Sequence, residues 1–221
     1  LYYAVLDAMD QQLGLLFDRV HNDKRLKNKT LILIASDNGP EEGAGLAEPL
    51  RGAKTWLYEG GVRSPLIVWG PGLVASDAVG TTNTKSVLCA LDVNRSLYTL
   101  TGTELPSGIT LDGEDLSETL LGKSEAGRNA PIFWRRPPDR PGTKQEPNPD
   151  LAVRDGKWKL YVNYDGNGVQ LYDLEADVSE TQNRADDYPE IVARLKQAVV
   201  EWNRNLPADA GDPTWRPEAK R

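Results

Sequence analysis

The chain is poor in the residues that most often advertise chemistry. Its 221 residues include one cysteine, Cys89, one histidine, His21, and one methionine, Met9. A single cysteine excludes an intramolecular disulfide. Cys89 lies in an apolar helical pattern and reads as a buried structural thiol. His21 falls in a polar link, residues 21–29, without a partner motif, and reads as a solvated residue rather than a catalytic one. No apolar run approaches the ~20 residues of a membrane-spanning helix. Positive charge is in deficit, with a net charge of −7, which argues against generic nucleic-acid binding through phosphates. Neither a nucleic acid nor a membrane is therefore expected as a partner. No internal repeat is apparent. The remainder is ordinary for a globular protein, with 39% hydrophobic and 27% charged residues. The length suffices for one large or two modest domains. The chain lacks an initiator methionine and opens within a pattern, Leu1-Tyr2-Tyr3-Ala4, so it is expected to be a portion of a longer protein.

The most informative stretch is Thr30-Leu-Ile-Leu-Ile-Ala-Ser36, which runs into Asp37-Asn38-Gly39-Pro40. An apolar run without alternation predicts a strand buried on both faces, the pattern of a parallel sheet. In open α/β sheets ligands sit beyond the carboxyl ends of such strands. Asp37 and Asn38 would offer a carboxylate and an amide oxygen there, hard donors suited to Ca²⁺ or Mg²⁺. Taken alone, these residues read more readily as a plain Asx turn.

Apolar residues from Val5 to Val20 recur at helical spacing and predict an amphipathic helix over residues 2–20. A second helix is predicted over residues 86–101, where Asp92 reads as a packing residue. Leu111–Leu116 reads as a turn. Composition shifts near residues 122–129. Beyond it, Asp155-Gly156 between extended runs predicts a hairpin. A closing helix begins near Pro189, with Asp187 and Glu190 at capping-box spacing.

After a short Gly- and Glu-rich link come Leu50-Arg-Gly-Ala-Lys54, then Tyr58-Glu-Gly-Gly-Val-Arg63, the apolar run Leu66–Trp69 and Gly70-Pro71-Gly72. This succession, with the strand and Asp-Asn-Gly before it, resembles the sulfatases of the alkaline phosphatase superfamily. So do the Trp-Lys-Leu, Leu-Tyr-Asp-Leu and Glu-x-x-Asn segments near the end of the chain. The resemblance covers nearly the whole chain but matches only the C-terminal portion of such an enzyme. It implies an α/β fold: residues 1–124 as the remainder of a mostly parallel alkaline-phosphatase-like sheet with flanking helices. Residues 125–221 would form a small α+β subdomain, an antiparallel sheet with one long helix.

The same resemblance implies the chemistry. Asp37 and Asn38 would be ligands of one divalent ion, usually Ca²⁺, and Lys54 would hold a sulfate oxygen and assist the leaving group. Arg135 and Arg136 open a Pro-rich basic loop and are further candidates for contact with a sulfated small molecule or carbohydrate. Arg51 and Arg63 fit structural ion pairs better, and Glu41 and Glu42 fit a solvated loop. The family's nucleophile is a formylglycine made from Cys/Ser-x-Pro-x-Arg. Cys89, Ser64 and Ser107 all fail that pattern. The nucleophile is therefore expected in the missing N-terminal half of the parent chain, which would be this chain's first partner. The piece alone is expected to show no turnover and a poorly occupied metal site. Surface normally covered by the missing half would favour self-association. By resemblance the parent is periplasmic or extracellular. A phosphoryl or phosphonate hydrolase of the same superfamily, or a non-catalytic binding module derived from it, are the competing readings.

Overall fold

A computed structural model describes residues 2–136 and 148–207. Contacts group the chain into two compact units, Leu1–Ser36 with Pro65–Asn129, and Asp37–Ser64 with Ala130–Arg221. The Asp37–Ser64 segment therefore belongs with the C-terminal residues rather than with the strands that flank it in sequence.

In the first unit, helix α1 (Tyr2–Asn22) runs two residues beyond its predicted end and takes in His21. Its apolar stripe is largely exposed among the described residues; Val20 is buried, and Phe17 packs its ring 4.9 Å from that of Trp69. Strands β1 (Ile32–Ala35) and β2 (Leu66–Trp69) pair with Ile32 opposite Trp69 and Ala35 opposite Leu66. The pair is antiparallel, where the unbroken apolar run predicted parallel pairing. Such a run predicts burial on both faces and carries no information about the direction of a neighbour; here Ile32, Leu33 and Ile34 are only half-buried and Ala35 is exposed. Helix α3 (Ala90–Thr101) starts four residues later than predicted. The Asp92 carboxylate accepts the Cys89 N–H at 2.8 Å and so fixes the first turn. Asp92 also accepts the Glu114 N–H at 2.8 Å and is paired with Arg128. The Leu111–Leu116 turn is thereby tied to the helix.

The second unit contains the short helix α2 (Glu59–Val62) and a four-stranded antiparallel sheet in the order β3-β4-β5-β6. The strands are Ile132–Arg135, Leu151–Asp155, Trp158–Val162 and Gln170–Asp173. The hairpin predicted at Asp155-Gly156 joins β4 to β5. Side chains alternate across a strand, and here both faces are covered. Leu151, Val153, Leu160, Val162 and Leu171 pack against Leu195 and Val199 of helix α5 (Pro189–Asn205). Ala152, Tyr161 and Tyr172 face the other way and pack on Leu57 and Tyr58. The capping box expected at Asp187 and Glu190 does not form. The helix is entered from Tyr188, and Asp187 accepts from Arg184 Nε at 2.6 Å. In unit one, helix α4 (Ser117–Leu120) packs against α3.

Candidate active-site loop

Three motif segments are knitted together by main-chain hydrogen bonds. Gly39 N–H donates to Gly61 O at 2.9 Å, Lys54 N–H to Pro40 O at 2.9 Å, and Gly60 N–H to Arg51 O at 2.7 Å. Here the loops approach from the side where a Cβ would stand, and only glycine leaves room. A Cβ on Gly60 would stand 2.4 Å from Gly52 O, and one on Gly61 would stand 2.1 Å from Trp56 O. The glycines of Asp-Asn-Gly and Tyr-Glu-Gly-Gly are thus explained by close packing of loops, and the result is a fixed platform carrying Asp37, Asn38 and Lys54.

Asp37 is exposed and makes no hydrogen bond or ion pair among the described residues. Asn38 donates Nδ2–H to Gly39 O at 2.9 Å, which commits the donor side of its amide and leaves the carbonyl oxygen as the atom that could face a cation. Lys54 is also exposed, with Nζ 3.2 Å from Glu41 Oε2. The acidic link thus reaches the lysine rather than a metal site. Beside this pair a depression of about 390 Å³ is lined by Pro40, Glu42, Leu46, Arg51 and Trp56, among others. Among the described residues no three His, Cys, Asp or Glu side chains converge as a metal site would require. The donor set of Asp37 and Asn38 still suits a hard cation, as part of a set of six to eight oxygens.

Arg51 is held inside the second unit. Its guanidinium lies 3.9 Å from the centroid of the Tyr58 ring and donates to Tyr172 Oη at 3.0 Å. Arg63 pairs with Glu59 at 3.6 Å. Arg136 is buried and donates to Pro149 O, to Asn148 O and, at 2.8 Å, to Asp150 Oδ1. Arg135 donates to Pro207 O at 3.2 Å and Asn203 Oδ1 at 3.5 Å. For Arg136 this counts against the inferred substrate contact, because a guanidinium spent on buried carbonyls and Asp150 is not available to an incoming anion; Arg135, half-buried, ties the end of β3 to the end of the C-terminal helix. The remainder of that loop, residues 137–147, lies outside the described residues.

Beneath the platform is a buried charged cluster that the sequence reading missed. Lys159 Nζ donates to Glu59 Oε1 at 2.6 Å, with Arg154 3.5 Å from Oε2. Glu180 Oε2 accepts the Glu59 N–H at 2.8 Å, and its Oε1 accepts from Tyr161 Oη. Burial pushes the Glu59 carboxyl up, but Lys159, Arg154 and Arg63 outweigh it and hold the group below the ordinary range. Burial pushes Glu180 up despite Lys159, and pushes the Tyr161 phenol well up with help from Glu180. Lys159 and Tyr161 share one strand face by the two-residue period. That spacing is the one signal in the sequence that could have placed a lysine against the motif loop.

A strand ending in Asp-Asn-Gly, a glycine-packed lysine loop, and an antiparallel sheet backed by one helix define an alkaline-phosphatase-like hydrolase fold. A solved structure of Ps i-CgsB in complex with k-i-k-neocarrahexaose superposes with a TM-score of 0.73 at 25% identity, over 96% of this chain and 44% of that one. The family model "Sulfatase" matches residues 1–103. Arylsulfatase A of Bos taurus is 32% identical over 219 residues, covering 88% of this chain and 41% of the relative. Arylsulfatase G of Rattus norvegicus is 38% identical over 240 residues, covering 95% and 44%. The chain belongs to the sulfatase family, and spans under half the length of these relatives.

Proposed function

We propose that this chain is the C-terminal portion of a sulfatase that hydrolyses sulfate esters, and that it supplies Lys54, Asp37 and Asn38 to a site whose formylglycine nucleophile lies in the rest of the protein. The observation that carries this reading is the platform itself. The Lys54 N–H to Pro40 O bond, one residue beyond Asp37-Asn38-Gly39, fixes the lysine main chain to the same turn as both oxygen donors. In sulfate-ester cleavage negative charge spreads over the sulfuryl and leaving oxygens. The Lys54 ammonium would hold one sulfuryl oxygen; its compact charge on a flexible stem suits an oxygen that moves during reaction. Glu41 already rests a carboxylate against that ammonium, so an oxyanion from solvent has access to it. Asp37 and Asn38 would hold Ca²⁺, which when bound neutralises charge on the same oxygens. The substrate class is a sulfated small molecule or carbohydrate.

The test is turnover of a chromogenic aryl sulfate by the full-length protein with Ca²⁺, beside the 221-residue chain and beside a phosphonate monoester. Turnover of the sulfate by the full-length protein alone, reduced about 100-fold or more by Lys54→Ala, is the expected result. Preferential turnover of the phosphonate, or full activity after Lys54→Ala, would overturn the reading.

A further inference from the structure

We infer that Lys159 and Glu180 are positioning residues for Lys54, acting through Glu59. This rests on the sulfatase reading of Lys54 given above.

Glu59 is gripped twice, by Lys159 of strand β5 and by Glu180 in the segment that follows β6. Lys159 takes its carboxylate at 2.6 Å, and Glu180 takes its main-chain N–H at 2.8 Å. All three residues are at most 2% exposed. Taking an ammonium and two carboxylates out of water is costly, and an apolar side chain would fill the same face of β5 without that cost. What the charges add is direction: they fix the carboxylate of Glu59, at the start of α2, to an atom of strand β5 and its main-chain N–H to the buried Glu180 carboxylate beyond β6, which apolar packing does not.

The loop needs fixing. Thr55, the residue after Lys54, has φ of 78°. A β-branched residue in the left-handed region is strained, and such strain persists where the surroundings over-determine it. The loop from Arg51 to Gly60 is closed at its base by the Gly60 N–H to Arg51 O bond, and Lys54 N–H is bonded to Pro40 O. Glu59 is the residue next to that closure. Loss of its grip lets the base shift and Thr55 relax, and the Lys54 ammonium then leaves the place where the sulfuryl oxygen sits. A misplacement of about 1 Å is enough to cost about 100-fold in rate.

The experiment is a cycle in the full-length protein, read as kcat/KM on an aryl sulfate. Lys159→Met combined with Glu59→Gln removes both members of the pair together, so neither is left facing the other's vacant place. Glu180→Gln is the milder variant, unchanged in size, and stands in should the double variant fail to fold. Each is made with Lys54 present and with Lys54→Ala. Acting through Lys54, the cluster substitutions lower kcat/KM by about 10- to 100-fold when Lys54 is present and by less than about twofold when it is already alanine. Hydrogen exchange adds a readout independent of activity. Residues 51–61 lose protection at least about tenfold, whereas residues 189–205 of α5 keep theirs. Equal losses of kcat/KM in both backgrounds, or equal loosening of α5, would mean that the cluster only supports stability and would overturn the inference. If Lys54→Ala alone leaves turnover intact, the sulfatase role of Lys54 fails, and it fails whatever the cluster variants do.

Discussion

Gly39 and Gly60 leave no room for a side chain between them: a Cβ on Gly39 would stand 1.7 Å from the Gly60 carbonyl oxygen. Gly39→Ala must push the two loops apart and break the Gly39 N–H to Gly61 O bond. A destabilisation of about 3 kcal/mol is expected, read as a lower melting temperature of the chain. Gly14, in α1, has no atom within 4 Å of its Cβ position. Gly14→Ala is expected to stabilise by about 0.5–1 kcal/mol through helix propensity. A smaller loss at Gly39 than at an exposed glycine would show that the loops are not in contact.

The two kinds of ion pair should behave differently. Asp92 and Arg128 are nearly fully buried, with side chains 0% and 8% exposed. Arg128→Ala leaves a buried carboxylate short of a partner and should cost about 3 kcal/mol or more. Lys85 and Glu125 are 68% and 63% exposed, and Lys85→Ala should cost less than about 1 kcal/mol. Urea unfolding of both variants compares them directly.

Glu41 rests on Lys54 at the place proposed for an anion. Glu41→Gln should change stability by less than about 1 kcal/mol, because both groups are exposed. In the full-length protein it should lower KM for an aryl sulfate and leave kcat in place, since the carboxylate no longer competes for the ammonium. A raised KM would show that Glu41 assists the substrate instead.

Burial raises the thiol of Cys89 above its ordinary value, with the nearby Asp92 charge adding to the effect. The thiolate is the reactive form. Cys89 is half-buried rather than fully buried as expected. A raised pKa means less thiolate at a given pH, so alkylation by iodoacetamide near pH 8 should lag behind that of a free-thiol peptide and accelerate as pH rises. Mass spectrometry of timed samples gives the rate, and a faster reaction than the peptide would show that the thiol is not shielded.

Two oxygen donors bind Ca²⁺ weakly. Should the affinity of the 221-residue chain be millimolar, about 1 mM Ca²⁺ adds less than about 0.5 kcal/mol. The melting temperature should therefore hardly move when EDTA replaces the ion, whereas the full-length protein should lose stability.

Much of this was legible in the sequence. Apolar periodicity marked α1, α3 and α5, the Asp155-Gly156 turn gave the hairpin, and motif order singled out Asp37, Asn38 and Lys54. Three things were not. The direction of β2 against β1 is absent from an apolar run, because the run predicts burial only. The cap of α3 was missed because Cys89 is not a usual cap residue; the acceptor is Asp92, three positions on. Lys159 alternates with Leu160, and alternation assigns a lysine to the wet face. Here that face is dry, because residues 56–59, a hundred positions earlier, cover it. Patterns within a strand cannot see a distant cover. The same blindness made Arg136 resemble a loop cation when it is a buried clasp.

The 100-residue separation between Glu59 and Lys159 has a consequence for how the protein reaches its native state. Contacts so far apart in sequence form only after a long loop is closed, which slows the search for them. The Lys54 platform therefore has no floor until the hairpin of β4 and β5 is in place. A ribosome that has released only the first 129 residues has made every candidate ligand named above, yet neither Lys159 nor Glu180 that fixes Glu59, so the Lys54 loop matures last although it is synthesised early.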